Sequence, residues 1–314
     1  MDVETPTPAQ DNPISVWKVI GMFALLFLAV QLAVALLDTG INTFMSALGA
    51  SPNLRIFLGS TLSHAGMIAA ALLLTLPVIT SVLRQPGRQR LFPFTPGWCR
   101  QLFTGMGISA LAMSLVFLLE LALGWLSVSG LALAGLPWDA VLRALWMALL
   151  VNLTAAVVEE TLFRGFLISG LTDAWDKTGA VFISAVIFGG SHILVVAARQ
   201  SNWLEFIPLL ALPGIMLGWA YLRTGNLWLA TGLNFAWNFF QDEVFNLPAR
   251  EGSQTLVGLL TRSSGPQWFM GASFGIEVGA AGILALVIAC LGIWAVTRTP
   301  SHLAGQDKFS RKFK

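Results

Sequence analysis

Charge is what this sequence has least of. Of its 314 residues only 11% are Asp, Glu, Lys or Arg, where a soluble globular chain carries about 25%. That excludes a water-facing surface over the whole molecule. Disorder is excluded too, because 56% of the residues are hydrophobic and disordered chains combine low hydrophobicity with high charge. The formal net charge is +2, with basic residues standing singly or in small groups, so there is no nucleic-acid footprint. Cysteine is almost as scarce. Cys99 and Cys290 are far apart and form neither a C-x-x-C pair nor a disulfide framework, which sets aside redox chemistry and Cys-ligated zinc. Histidine occurs three times, as His64, His192 and His302.

What is abundant is apolar length. A bilayer-crossing helix needs about 20 mostly apolar residues, and runs of that kind predict spans at roughly 16–37, 56–82, 103–128, 140–170, 179–198, 203–222, 226–245 and 268–297. The fold expected is therefore all-α, a polytopic transmembrane bundle of about eight spans. Three parts are expected along it: N-terminal membrane helices over 1–138, a four-span core over 139–246, and an outer loop, last span and basic tail over 247–314. The first run follows an acidic, Pro-containing stretch and not a basic n-region, so it reads as a retained helix and not a signal peptide. Eight spans put both termini on one side. With that side cytoplasmic, the inner segments hold twelve Lys or Arg, among them Arg84, Arg88, Arg90, Lys308, Arg311, Lys312 and Lys314. The outer side holds five, Arg55, Arg143, Arg199, Arg250 and Arg262. This is the bias of the positive-inside rule, and it predicts a multi-pass protein of the bacterial inner membrane with cytoplasmic termini.

Ionisable groups inside spans mark function by default, and few are present: His64, Glu120, Glu159, Glu160, Arg164, His192 and Glu277. In AVVEETLFRGFL, Glu160 and Arg164 are spaced i, i+4 and can pair on one helical face, leaving Glu159 about 100° around the helix for other work. In FGGSHI, Phe188 lies one turn before His192 and covers one side of its ring, while Gly189 and Gly190 let another helix come close. In NFAWNF, Asn234 and Asn238 form a second i, i+4 pair. A Glu, a His and two amide donors suffice for peptide hydrolysis: the carboxylate takes a proton from water, the imidazole shuttles it, and the amides stabilise the oxyanion. Taken singly, each has a blander reading: a structural ion pair, an interior His, helix-gluing amides. His64, Glu120 and Glu277 read mainly as bundle-facing polar residues.

In order, E-E-x-x-x-R at Glu159 to Arg164, F-x-x-x-H at Phe188 to His192, and the polar pair Asn234 and Asn238 resemble the CPBP intramembrane metalloprotease family, which includes the CAAX prenyl endopeptidases and relatives linked to bacteriocin processing. The likeness covers roughly residues 145–241. It implies that Glu159 activates water with His192 as partner, that Asn238 stabilises the oxyanion, and that Glu160 and Arg164 organise the site or contact substrate. The substrate implied is a membrane-associated or lipid-modified peptide cleaved near the cytoplasmic face. The family name implies zinc, yet its third motif normally begins with His where this chain has Asn234. Zinc prefers three ligands of His, Cys or carboxylate type, so Glu159 and His192 would have to recruit an amide or His64. A different class of function stays open on the same residue: a non-catalytic relative that binds a partner, confers immunity to a toxic peptide or acts as a scaffold.

Overall fold

A computed structural model describes residues 14–83, 91–197, 207–247, 255–271 and 275–298. The acidic leader, Arg84, Arg88, Arg90, Arg199, Arg250, His302 and the basic tail with Lys308, Arg311, Lys312 and Lys314 lie outside the described residues.

Each of the eight apolar runs carries a helix. Helix α1 is Val16–Ala47, started by Ser15, whose hydroxyl accepts from the Lys18 amide as an N-cap does. Helix α2, Ser60–Val82, follows a short turn and a π-helical stretch, Arg55–Gly59. Helix α3 is Trp98–Ala122. Helix α4, Trp138–Glu159, continues through a π-helical segment, Glu160–Ile168, into Ser169–Ala174. Asp176 then caps helix α5, Lys177–Ala197, by accepting from the Thr178 and Gly179 amides. Helix α6 is Ile207–Thr224 and helix α7 is Trp228–Asn238, prolonged by a π-helical Phe239–Val244. Helix α8 is Ala280–Thr297. Among the described residues, five helical stretches are long and apolar enough to cross a membrane: Val16–Ala47, Pro52–Ser81, Trp98–Ala122, Trp138–Ala174 and Ala280–Thr297. Leu209–Thr224 is a shorter apolar helix. The outer faces agree with a lipid surrounding, since Leu25, Leu32, Phe103 and Leu118 all point out of the bundle.

Two stretches depart from the expected spans. The run expected as helix through residue 128 ends at Ala122, and Gly124 turns with a φ of 70°. Strand β1, Leu126–Leu131, then pairs antiparallel with strand β2, Leu259–Ser263, in a two-stranded ribbon. The run expected at 268–297 is broken. A short helix, Gln267–Met270, stops at Gly271 with a φ of 78°, and Gly275 has a φ of 89° before a 3-10 turn at Ile276–Val278. Only glycine adopts those angles at no steric cost, so the chain re-enters the bundle end before α8 begins.

Small residues set how closely the helices approach. At the crossing of α3 with α7, a Cβ on Gly105 would stand 2.3 Å from the Leu229 carbonyl oxygen, and one on Gly232 would stand 2.1 Å from that of Leu102. At the crossing of α5 with α6, a Cβ on Gly189 would meet the Ala211 nitrogen at 2.9 Å, whereas one on Gly190 would meet nothing within 4 Å. Backbone-to-backbone packing of this kind is how helices associate where lipid offers no hydrophobic drive. Gly232→Val is therefore expected to lower the thermal midpoint of the detergent-solubilised protein by several degrees, because the neighbouring backbone cannot give way. Gly107→Ala, where a Cβ would meet nothing within 4 Å, serves as the matched control and should leave the midpoint in place. Equal midpoints for the two variants would remove the argument for a glycine-set crossing.

Candidate active site

The site begins at the change of helix type in α4. From Glu160 onward the backbone bonds i to i+5, and such π-helical insertions occur often at functional sites. Residues four apart still share a face of this segment. Arg164 Nη1 donates to Glu160 Oε1 at 2.9 Å, and both side chains are fully buried. Arg164 Nη2 also donates to the Gly214 carbonyl at 3.3 Å, and the guanidinium lies 4.7 Å from the centre of the Phe188 ring. A buried charge is tolerated only when paired and hydrogen-bonded, and these contacts supply much of that, while Glu160 Oε2 and Arg164 Nε have no partner among the described residues.

Asn234 joins this pair to Glu159. Its amide nitrogen donates to Glu159 Oε2 at 3.0 Å and to Glu160 Oε1 at 2.9 Å. An amide has two N–H donors, so both are engaged by carboxylates. Its carbonyl oxygen accepts from Asn238 Nδ2 at 3.1 Å. Asn238 thus spends one amide hydrogen on Asn234 and keeps the other. On the opposite wall His192 Nδ1 lies 2.9 Å from the Phe188 carbonyl oxygen. A carbonyl only accepts, so this bond fixes the proton on Nδ1 and leaves Nε2 as an acceptor. The Phe188 ring is in contact with both groups, with the centre of the His192 ring 4.8 Å away and the Arg164 guanidinium 4.7 Å from its own centre.

Glu159, Phe188, His192, Asn234 and Asn238 line one cavity of about 40 Å³, several times the roughly 10–15 Å³ that a single water needs. The hairpin between α4 and α5 brings Glu159 and His192 to one depth: Glu159 precedes Ala174 by as many residues as His192 follows Lys177. His64 and Glu120 are not among the cavity's lining residues, while Glu277 and Trp237 are. Neither of these two was singled out by the motifs. The signal for Glu277 was there: an ionisable residue set among Gly271, Gly275 and Gly279 in an apolar run. Nothing in the pattern of Trp237 separates it from a core aromatic, yet its buried indole N–H has no partner among the described residues. The cavity extends from Glu159 towards the start of α6 at Leu210 and the turn carrying Glu277. That is the end of the bundle opposite Val16 and Thr297.

The donor set does not fit a resident metal ion. Among the described residues no three His, Cys, Asp or Glu are grouped to hold one. Asn234, which stands where a third ligand would be sought, could offer only its carbonyl oxygen, and that oxygen already accepts from Asn238 Nδ2.

If the Glu160–Arg164 pair is the keystone of this site, breaking it from one side should cost far more than removing both charges. Arg164→Met leaves a buried, uncompensated carboxylate and is expected to destabilise by about 3–5 kcal/mol. The double variant Glu160→Gln/Arg164→Met should recover much of that loss, read as thermal midpoints of the solubilised protein. A single variant as stable as the parent would show that the pair is not needed.

Residues 141–240 match the family model described as type II CAAX prenyl endopeptidase Rce1-like. No curated protein and no solved structure matches the chain.

Proposed function

We propose, from the match of residues 141–240 to the Rce1-like family of type II CAAX prenyl endopeptidases, that this protein is an integral-membrane endopeptidase that hydrolyses a peptide bond with water activated by Glu159. The observation that carries the reading is the single cavity shared by Glu159, His192 and Asn238. Glu159 Oε2 is held by Asn234, which leaves its other oxygen to accept a proton from water as the water oxygen attacks the scissile carbonyl carbon. Glu159 passes that proton to His192 Nε2, whose ring is held by the bond of Nδ1 to Phe188. When the carbon–nitrogen bond breaks, that proton goes to the departing amine. The remaining amide hydrogen of Asn238 is placed to meet the oxyanion. Asn234, whose donors are both engaged, acts by positioning the carboxylates.

The substrate class that follows is a peptide held in or at the bilayer, including a lipid-modified one. Its side of entry is constrained. The cavity lies towards the end of the bundle opposite the described helix ends Val16 and Thr297, so a cytoplasmic placement of those helix ends and a site near the cytoplasmic face do not go together here. The bias of basic residues, twelve against five, supports cytoplasmic termini and therefore a cavity directed to the outer side. In intact cells a membrane-impermeant maleimide should label Glu277→Cys and spare Thr297→Cys when both are made in a chain lacking Cys99 and Cys290. The reverse pattern would invert the orientation.

Glu159→Gln and His192→Ala are expected to lose cleavage of a reconstituted peptide substrate by about 10²–10⁴-fold while accumulating normally in the membrane. Unchanged cleavage in both variants rejects the mechanism and favours a binding or scaffold role. Asn234→His restores the family's usual residue, and a gain of cleavage in that variant would identify Asn234 as an attenuating substitution.

A further inference from the structure

The cavity contains a carboxylate that the hydrolytic mechanism does not use. Glu277 reaches it from the 3-10 turn Ile276–Val278, well outside the matched segment 141–240. Its place is fixed by backbone packing. A Cβ on Gly271 would fall 1.6 Å from the Gly275 carbonyl oxygen, one on Gly279 would fall 2.1 Å from that of Phe269, and one on Gly282 would fall 2.3 Å from that of Ile276. A turn packed this tightly on both sides does not wander. The flanking Ile276 and Val278 are buried while Glu277 is half-buried, so the turn anchors itself by its apolar neighbours and presents the carboxylate to the cavity. No hydrogen bond or ion pair to Glu277 is found among the described residues.

The charge inventory of the cavity is one-sided. Its titratable lining groups are Glu159, Glu277 and His192, and the nearby Arg164 is already committed to Glu160. The indole N–H of Trp237, in a side chain only 4% exposed and without a partner among the described residues, is a further polar group in the cavity lining. It is a donor and so suits a peptide carbonyl. A carboxylate on a half-buried wall, with no cation among the described residues to meet it, favours a ligand that brings the cation.

We propose, building on the endopeptidase reading, that Glu277 is a specificity residue that selects substrates carrying an ammonium or guanidinium group beside the scissile bond. Glu159 and Glu277 divide the work: one activates water, and the other chooses which peptide is held there. Two sources provide such a cation, a Lys or Arg side chain within the peptide and a free α-amino terminus.

The test uses the full chain in lipid nanodiscs and internally quenched apolar peptides that differ at one position at a time. Lys or Arg peptides are compared with isosteric Gln peptides, and each is made with a free and an acetylated N-terminus. For the wild type the Lys or Arg peptide should exceed the Gln peptide in kcat/KM by about tenfold, between the yields of an exposed and a fully buried ion pair. Glu277→Gln should bring that ratio close to one, and Glu277→Lys should turn it towards Glu peptides. A preference abolished by acetylation assigns the cation to the terminus, and one that survives acetylation assigns it to the side chain. A ratio near one in the wild type, or an unchanged ratio in Glu277→Gln, overturns the proposal. Binding of the labelled peptides to Glu159→Gln and to Glu159→Gln/Glu277→Gln separates this from failure of the hydrolytic reading. If no peptide is cleaved but the first variant still binds Lys or Arg peptides more tightly than Gln peptides and the double variant does not, Glu277 keeps its role and the hydrolase assignment falls. Equal binding by the two variants overturns the role of Glu277 whatever the cleavage result.

Discussion

One amide side chain holds the site together. Two glutamates adjacent in sequence repel each other, and burying both without compensation would push them apart or neutralise them. Arg164 compensates one of them, and the two N–H groups of Asn234 bridge the gap between Glu160 and Glu159. Everything else about the region serves that geometry. The π-helical segment keeps Arg164 on one face with Glu160, and the glycine-set crossing of α3 and α7 holds the helix that carries Asn234. Phe188 closes the arrangement with its ring against the guanidinium and its carbonyl against His192.

The cost of burying these charges is also what gives them discrimination. Desolvated hydrogen bonds and ion pairs are strong because no water competes for them, and they lose most when a single partner is removed. The arrangement therefore has few tolerable variants, in contrast with the outward apolar faces of α1 and α3, where one large aliphatic side chain can replace another. The sequence reflects this. Three of its charges, Glu159, Glu160 and Arg164, fall in one six-residue stretch of α4, whereas its leucines are spread over every helix.

Much of this could be read from the residues in order. Each of the eight apolar runs carries a helix, because a long apolar run favours one, and among the described residues five helical stretches are long and apolar enough to cross a membrane. The i, i+4 pairing of Glu160 with Arg164 was visible because both partners lie on one helix. Contacts between helices were not. That Asn234 reaches both glutamates depends on how α7 packs on α4, and a motif carries no record of that. The ribbon was hidden for a related reason. Leu126–Leu131 is short, continues an apolar run and finds its partner more than a hundred residues later, so nothing local distinguishes it from the end of a span. Glu277 shows the limit of the opposite kind. It was visible as a charge in an apolar run, but only the break at Gly271 and Gly275 turns that run back towards the cavity.

The route by which the chain returns has a consequence for synthesis. Glu159, His192 and Asn238 are all made before the ribosome reaches β2, which has to find β1 again across the intervening helices. The wall carrying Glu277 comes later still, just ahead of the last helix. A nascent chain therefore holds these cavity residues for some time with one side of their chamber missing. The chamber takes its final form only when the last helix has entered the membrane and drawn that turn into place.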